Sequence, residues 1–215
     1  VMPLSDRERR VWLLDQKINR RGVAIDVEAA RAAVTAAEEI KAACNEKLAE
    51  VTGGAVQTVT AVAALKEWMA AQGVVVDSIA KQAVVDLLDD EAALSDTLPE
   101  PVRKALILRQ EAGKASTAKF NVMSQAVGAD GRLRGMYYYH GAGTGRWSGR
   151  LVQTHNLPRD MPDAETVAKI LALVRAGNWR AIGEYGPPLT MLSKCLRSFF
   201  MAPAGSMLVH GDWSN

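Results

Sequence analysis

With 215 residues, 48% of them apolar, the chain can bury a real core and has room for one large domain or two small ones. No stretch approaches the ~20 consecutive apolar residues that span a bilayer, and the charged start, Val1 to Arg10, is unlike a signal peptide, so a cytoplasmic protein with no membrane partner is expected. The net charge of +2 hides an asymmetry: Val1 to Val102 carry 11 Lys/Arg against 17 Asp/Glu, net −6, whereas Arg103 to Arg159 carry 10 against 2, net +8.

Ser5-Asp6-Arg7-Glu8 has the form of a capping box, in which the serine hydroxyl and the glutamate carboxylate satisfy orphaned amides, and it predicts a helix to about Arg21. Val11, Leu14 and Ile18 fall on one face of that helix and are expected in a core, and Gly22 ends it. Val23-Ala24-Ile25 reads as a short extended piece. Asp26 can cap a long second helix with the stripe Ala30, Val34, Ala37, Ile40, Cys44, Leu48 and Val51, up to Gly53-Gly54. Shorter helices are expected from about Thr60 to Gly73, burying Leu65, Trp68 and Met69, and after Ser78 through Val84, Val85 and Leu88. Ala92 to Leu98 reads as a turn. Pro101 suits the first turn of a further helix to about Val127, with Val102, Ala105, Leu106, Leu108, Ala112, Phe120 and Met123 inward and Arg103, Lys104, Arg109, Lys114 and Lys119 directed elsewhere. After a turn at Gly128 to Gly131, the tyrosine-rich Arg132 to His140 alternates like a strand. Helices near Ala164 to Arg175 and Leu189 to Leu196 and a strand at Ser206 to Gly211 complete a predominantly helical α+β reading. Two long helices joined by a small helical insert suggest an antiparallel arm. Cys44 and Cys195 stand far apart without ligand spacing, which predicts two reduced core thiols rather than a disulfide or zinc site.

The basic stretch is interleaved with Tyr137, Tyr138, Tyr139, Trp147, Gln153 and Asn156. Cations for phosphates and flat or amide side chains for bases are what a polyanion-tracking surface needs, although charge alone fits a solvated basic face equally. Gly141 to Arg150 lacks both GxGxxG spacing and a GK[ST] ending, so it is no phosphate-cradling loop. Its glycines can let backbone approach a duplex, with Arg146 and Arg150 reaching a groove or phosphates; a flexible hairpin loop is the plainer alternative.

Thr144-Gly145-Arg146-Trp147-Ser148 followed by Gln153-Thr154-His155-Asn156-Leu157-Pro158-Arg159 resembles TGRxSS…NLQNIPxR of the family A DNA polymerases. Leu196 to Pro203 is similar to that family's IRxxFxAP, and Met207 to Asn215 to its motif A, VxxDYSQIE. Ile18 to Asp26 resembles the IxxxGVxID that opens the thumb, and Ser116-Thr117 the ST near its end. Trp147, Gly149, Arg150, the long segment Asp160 to Pro188 and Asp212-Trp213-Ser214-Asn215 are closer to bacteriophage members.

The resemblance implies the helical thumb of a right-hand polymerase over residues 1–127 and the first part of its palm sheet over 128–215, ending at motif A. It implies template-directed DNA synthesis, a nucleotidyltransferase reaction of DNA replication. Asp212 matches the catalytic aspartate that binds metal, two Mg2+ ions in the complete enzyme. Arg146 matches the arginine that reaches the minor groove at the primer terminus. Gln153 and Asn156 match amides that touch template or primer, His155 stands where glutamine is usual, and Lys114, Ser116 and Thr117 fall on the duplex-gripping thumb helix. Partners implied are primer–template DNA, a dNTP in the complete enzyme, and a complementary C-terminal fragment carrying the fingers and the rest of the palm. These residues alone are expected to be inactive, because one carboxylate cannot hold two Mg2+ ions and nothing among them binds the triphosphate. The alternatives are a noncatalytic DNA-binding module or one half of a split polymerase, and, in a third class, a helical protein-binding adaptor.

Overall fold

A computed structural model describes residues 4–89, 98–203 and 205–209, and the chain divides into two compact units. The first comprises Val1–Val34, Ser116–Asn178 and Leu192–Asn215; the second comprises Thr35–Ala115 and Trp179–Met191. Helices dominate, with small antiparallel pairings among the described residues, in keeping with an α+β class.

In the first unit, helix α1 (Asp6–Arg21) starts as its sequence predicts. The Ser5 hydroxyl accepts from the Glu8 amide, and the Glu8 carboxylate accepts from the Ser5 amide at 3.1 Å. The Ser5 hydroxyl also donates to that carboxylate at 2.7 Å, and the two hydrogen bonds the carboxylate accepts, the hydroxyl's first, hold it below its usual range. Gly22 closes the helix with φ 63°, and a Cβ there would meet the Leu133 carbonyl oxygen at 2.5 Å, so only glycine fits. The buried face differs from the expected one. Leu14 is 51% exposed, with Trp12 and Leu13 beside it, while Asp15 is buried. A polar contact, described below, draws Asp15 inward in place of the apolar stripe.

Strand β1 (Val23–Ile25) forms as expected and is central in a three-stranded sheet, between β2 (Arg132–Leu133) and β5 (Phe200–Met201), both antiparallel to it. Registers are Val23 with Leu133 and Ile25 with Phe200. The strand expected over Arg132 to His140 is thus interrupted: Gly135 takes φ 69°, and pairing resumes only at β3 (Tyr137–Tyr138). The strand expected at Ser206 to Gly211 is not present over 206–209, where Met207, Leu208 and Val209 are highly exposed; His210 and Gly211 lie outside the described residues.

Asp26 caps α2 (Val27–Val51) through the Ala29 amide at 2.9 Å, and its stripe buries Ala30, Ala37, Ile40, Cys44 and Leu48. In the second unit α3 (Val62–Ala71) buries Leu65 and Met69, and α4 (Lys81–Leu88) buries Val84 and Leu87, leaving Val85 at the surface. The turn predicted at Ala92 to Leu98 lies outside the described residues except for Leu98, which is buried. The single helix predicted from Pro101 to Val127 is two: α5 (Glu100–Ala112) stops at Gly113, and α6 (Ala118–Gln125) follows a short tight turn. Glycine's low helix propensity makes Gly113 the natural break. Two of the cations expected to point outward turn inward. Arg109 donates to the carbonyls of Ile79 (3.0 Å) and Val59, and burial lowers its pKa. Lys119 donates to the Val152 and Gln153 carbonyls.

Helix α7 (Ala164–Arg175) matches its prediction, capped by Asp163 on the Thr166 amide, and α8 (Pro188–Lys194) continues into a tight turn ending at Phe199. Both cysteines are free and buried, and burial pushes the Cys195 thiol up to about 11, so it is inert at neutral pH. No described helix is long and apolar enough to cross a membrane.

Candidate nucleic-acid interface

The predicted binding residues from Arg146 to Asn156 all belong to the first unit, on a hairpin and the turn that follows it. Strand β3 pairs with β4 (Ser148–Gly149), Tyr137 opposite Gly149 and Tyr138 opposite Ser148. Arg150 extends the ladder by donating its amide to the Met136 carbonyl at 2.7 Å. Strand alternation sorts the side chains onto two faces. On one, Tyr138 and Arg150 are diagonal neighbours, and the guanidinium lies 4.2 Å from the ring centroid. On the other, Trp147 meets Tyr137 and Tyr139 at ring centroids of 6.4 and 6.0 Å.

Beyond β4 the backbone is strained. Leu151 (φ 57°) and Gln153 (φ 51°) are left-handed, a conformation that costs non-glycine residues about 1–3 kcal/mol each where it is held. Lys119 holds it, through the Val152 and Gln153 carbonyls, and its desolvated ammonium is lowered in pKa. The 3-10 turn Thr154–Asn156 follows, with the Asn156 amide side chain donating to the Gln153 side chain at 3.2 Å. His155 packs on Gly149 so closely that a Cβ at position 149 would stand 2.5 Å from its ring. Arg146, Arg150, Gln153, His155 and Asn156 are all exposed on this assembly.

Other candidates are placed differently. Thr117 is 4% exposed, and the Ser116 hydroxyl hydrogen-bonds that of Ser193. Lys114 belongs to the second unit and is half-buried. Asp212 lies outside the described residues. Among the described residues no three His, Cys, Asp or Glu side chains come together as a metal site, so its metal-binding role rests on the resemblance.

Two residues that hold the interface were not singled out from sequence. Asn19 donates through Nδ2 to the Tyr137 carbonyl and accepts from the Tyr137 amide, both at 3.0 Å, pairing with β3 as a strand would. Buried Asp15 accepts from the same Nδ2 at 3.1 Å, which fixes the Asn19 rotamer and explains why α1 turns its acid inward. Arg197 donates to the carbonyls of Pro158 (2.9 Å) and Leu157 (3.3 Å), joining the LRSFF segment to the NLPR segment. The only sequence signal for either lay in the signatures themselves: Asn19 is an unspecified position of the first, Arg197 the arginine of another. Asn19→Ala is expected to cost about 1–3 kcal/mol, since it strips both backbone polar groups of Tyr137 of their Asn19 partner. It should also weaken the near-UV circular dichroism of the Tyr137–Trp147–Tyr139 cluster, whereas Asn19→Asp should retain part of the signal.

No family model matches the chain, and no solved structure matches it. Over 212 residues, 97% of its length, the chain is 34% identical to a protein described as "DNA polymerase" of Bacillus phage SP02, of which it spans 31%. The whole of the interface described above falls inside that similarity.

Proposed function

We propose that this chain is the duplex-gripping part of a family A DNA polymerase of the bacteriophage type, with residues 1–127 as thumb and 128–215 as the start of the palm. The observation that carries the reading is the exposed set Arg146, Arg150, Gln153, His155 and Asn156 on one braced hairpin and turn. Similarity to a phage DNA polymerase over nearly the whole chain supports it. So does the joining of signatures within one unit: β1 of the thumb-opening segment pairs with β5, and Arg197 reaches the segment after Arg146. Arg146 would reach the minor groove of the terminal primer pair, where acceptors are shared by all base pairs, and Gln153 and Asn156 would touch the strands beside it. Lys114 would meet a phosphate. Asp212 would hold the two Mg2+ ions whose chemistry activates the primer hydroxyl and neutralises the triphosphate. A complementary C-terminal segment would cover Met207, Leu208 and Val209, which are 82%, 59% and 86% exposed. One half of a split polymerase would meet the same need.

Fluorescence anisotropy on recessed-primer and blunt DNA over a salt series tests the reading. Binding is expected to be weakly sequence-dependent and to weaken with salt, and Lys114→Ala should reduce the slope of log K against log[salt] by roughly one unit. Arg146→Ala should lower affinity for the recessed end more than for the blunt duplex. Equal losses on both would remove the primer-terminus role from Arg146, and no binding at low salt would leave the basic segment a solvated face.

A further inference from the structure

On the face of the hairpin opposite Trp147, Arg150 is arranged unlike a phosphate ligand. Both of its backbone groups are tied, the amide to the Met136 carbonyl at 2.7 Å and the carbonyl to the Gln153 amide at 3.1 Å. Its side chain lies over the Tyr138 ring at 4.2 Å, and both residues are exposed, Tyr138 by 49%. The Tyr138 ring is backed in turn. Gly141 passes so near that a Cβ there would stand 2.6 Å from Tyr138 Cδ1 and 2.0 Å from Ser148 Oγ, which keeps side chains out of that space and the ring in place. The guanidinium thus lies between the Tyr138 ring and solvent. A phosphate is best met by the edge of a guanidinium, where its N–H groups lie, and needs no ring behind it. A flat cation with a bare outer face is suited to stacking on a nucleobase, and only an unpaired base offers its whole face.

We propose that Arg150 and Tyr138 form a stacking subsite for an unpaired nucleobase, the single-stranded overhang beyond the recessed end. This rests on the DNA-binding reading and names a second kind of ligand for the same hairpin. Every base has a π face, so the subsite takes any of the four.

The test uses the full chain and two DNAs with a recessed end, identical but for a short overhang that carries either normal bases or abasic residues. Stacking predicts that the wild-type chain binds the base-bearing overhang roughly 5- to 100-fold more tightly. Arg150→Lys, which keeps the charge and loses the plane, should erase most of that ratio. Tyr138→Ala should erase it too, and Tyr138→Phe should restore it, which a folding defect would not do. Equal binding of the two DNAs by the wild-type chain, or an unaltered ratio in Arg150→Lys, would overturn the subsite and leave duplex binding standing. Failure to bind either DNA would overturn both.

Discussion

Phe199→Ala is expected to destabilise the first unit by about 3–5 kcal/mol, the range for deleting a fully buried aromatic side chain. Phe199 and Phe120 are both completely buried, their rings tilted against each other with centroids 5.0 Å apart, so the loss combines transfer, cavity and ring-contact terms. The site is also tied to the sheet: the Phe199 carbonyl accepts from the Asp26 amide at 2.9 Å, and Phe200 pairs with Ile25. Urea denaturation, read with hydrogen exchange at the Ile25 amide, measures it. Phe199→Leu, which keeps most of the volume, should recover more than half of the loss. A change below about 1 kcal/mol for the alanine variant would mean that this pair is not central to the core.

Glu111→Ala should cost the second unit about 3 kcal/mol, for a reason unrelated to packing. The Glu111 carboxylate, buried on the last turn of α5, accepts from the Leu189 amide, from the Thr190 amide at 3.0 Å and from the Thr190 hydroxyl at 2.5 Å. These are donors of the first turn of α8, where helices leave amides unsatisfied and carry partial positive charge. Removing the carboxylate strands three donors, the Leu189 amide buried and both Thr190 groups part-buried, and each costs about 1 kcal/mol. Glu111→Gln retains a single acceptor oxygen and turns an NH2 toward other donors, so it should fall between wild type and alanine. Thermal denaturation of the three chains gives the order; equal stability of Glu111→Gln and wild type would show that one oxygen suffices.

Local signals in the sequence were read correctly where one residue has one partner nearby. Ser5 with Glu8 and Asp26 with Ala29 are helix caps closed within three residues, and the stripe of α2 needs only periodicity. That Arg146 to Asn156 share one hairpin and the turn after it was legible because they are near neighbours in the chain. What was missed is long-range and polar. Leu14 sits at a helical core position, but the face is decided by Asp15 holding Asn19, which holds Tyr137 118 residues away, and no periodicity contains that partner. Arg109 and Lys119 look like surface cations on a helix stripe until the carbonyls of Ile79 and Val152 are brought to them. The breaks at Gly113 and Gly135 were visible as glycines, yet glycine alone does not say whether a helix or strand resumes.

The pairing of β1 with β5 also sets a clock. Ala24 faces Met201, so the three-stranded sheet cannot close until synthesis has passed Met201. At about 5–20 residues per second, roughly ten to thirty-five seconds separate the emergence of the two strands from the ribosome. Until β2 emerges β1 has no strand partner, and from then until β5 emerges it can pair with β2 alone, so its other edge remains open to any passing strand. Slow translation anywhere between the two strands would lengthen this exposure, so the yield of soluble chain should fall as codons in the 26–199 stretch are slowed.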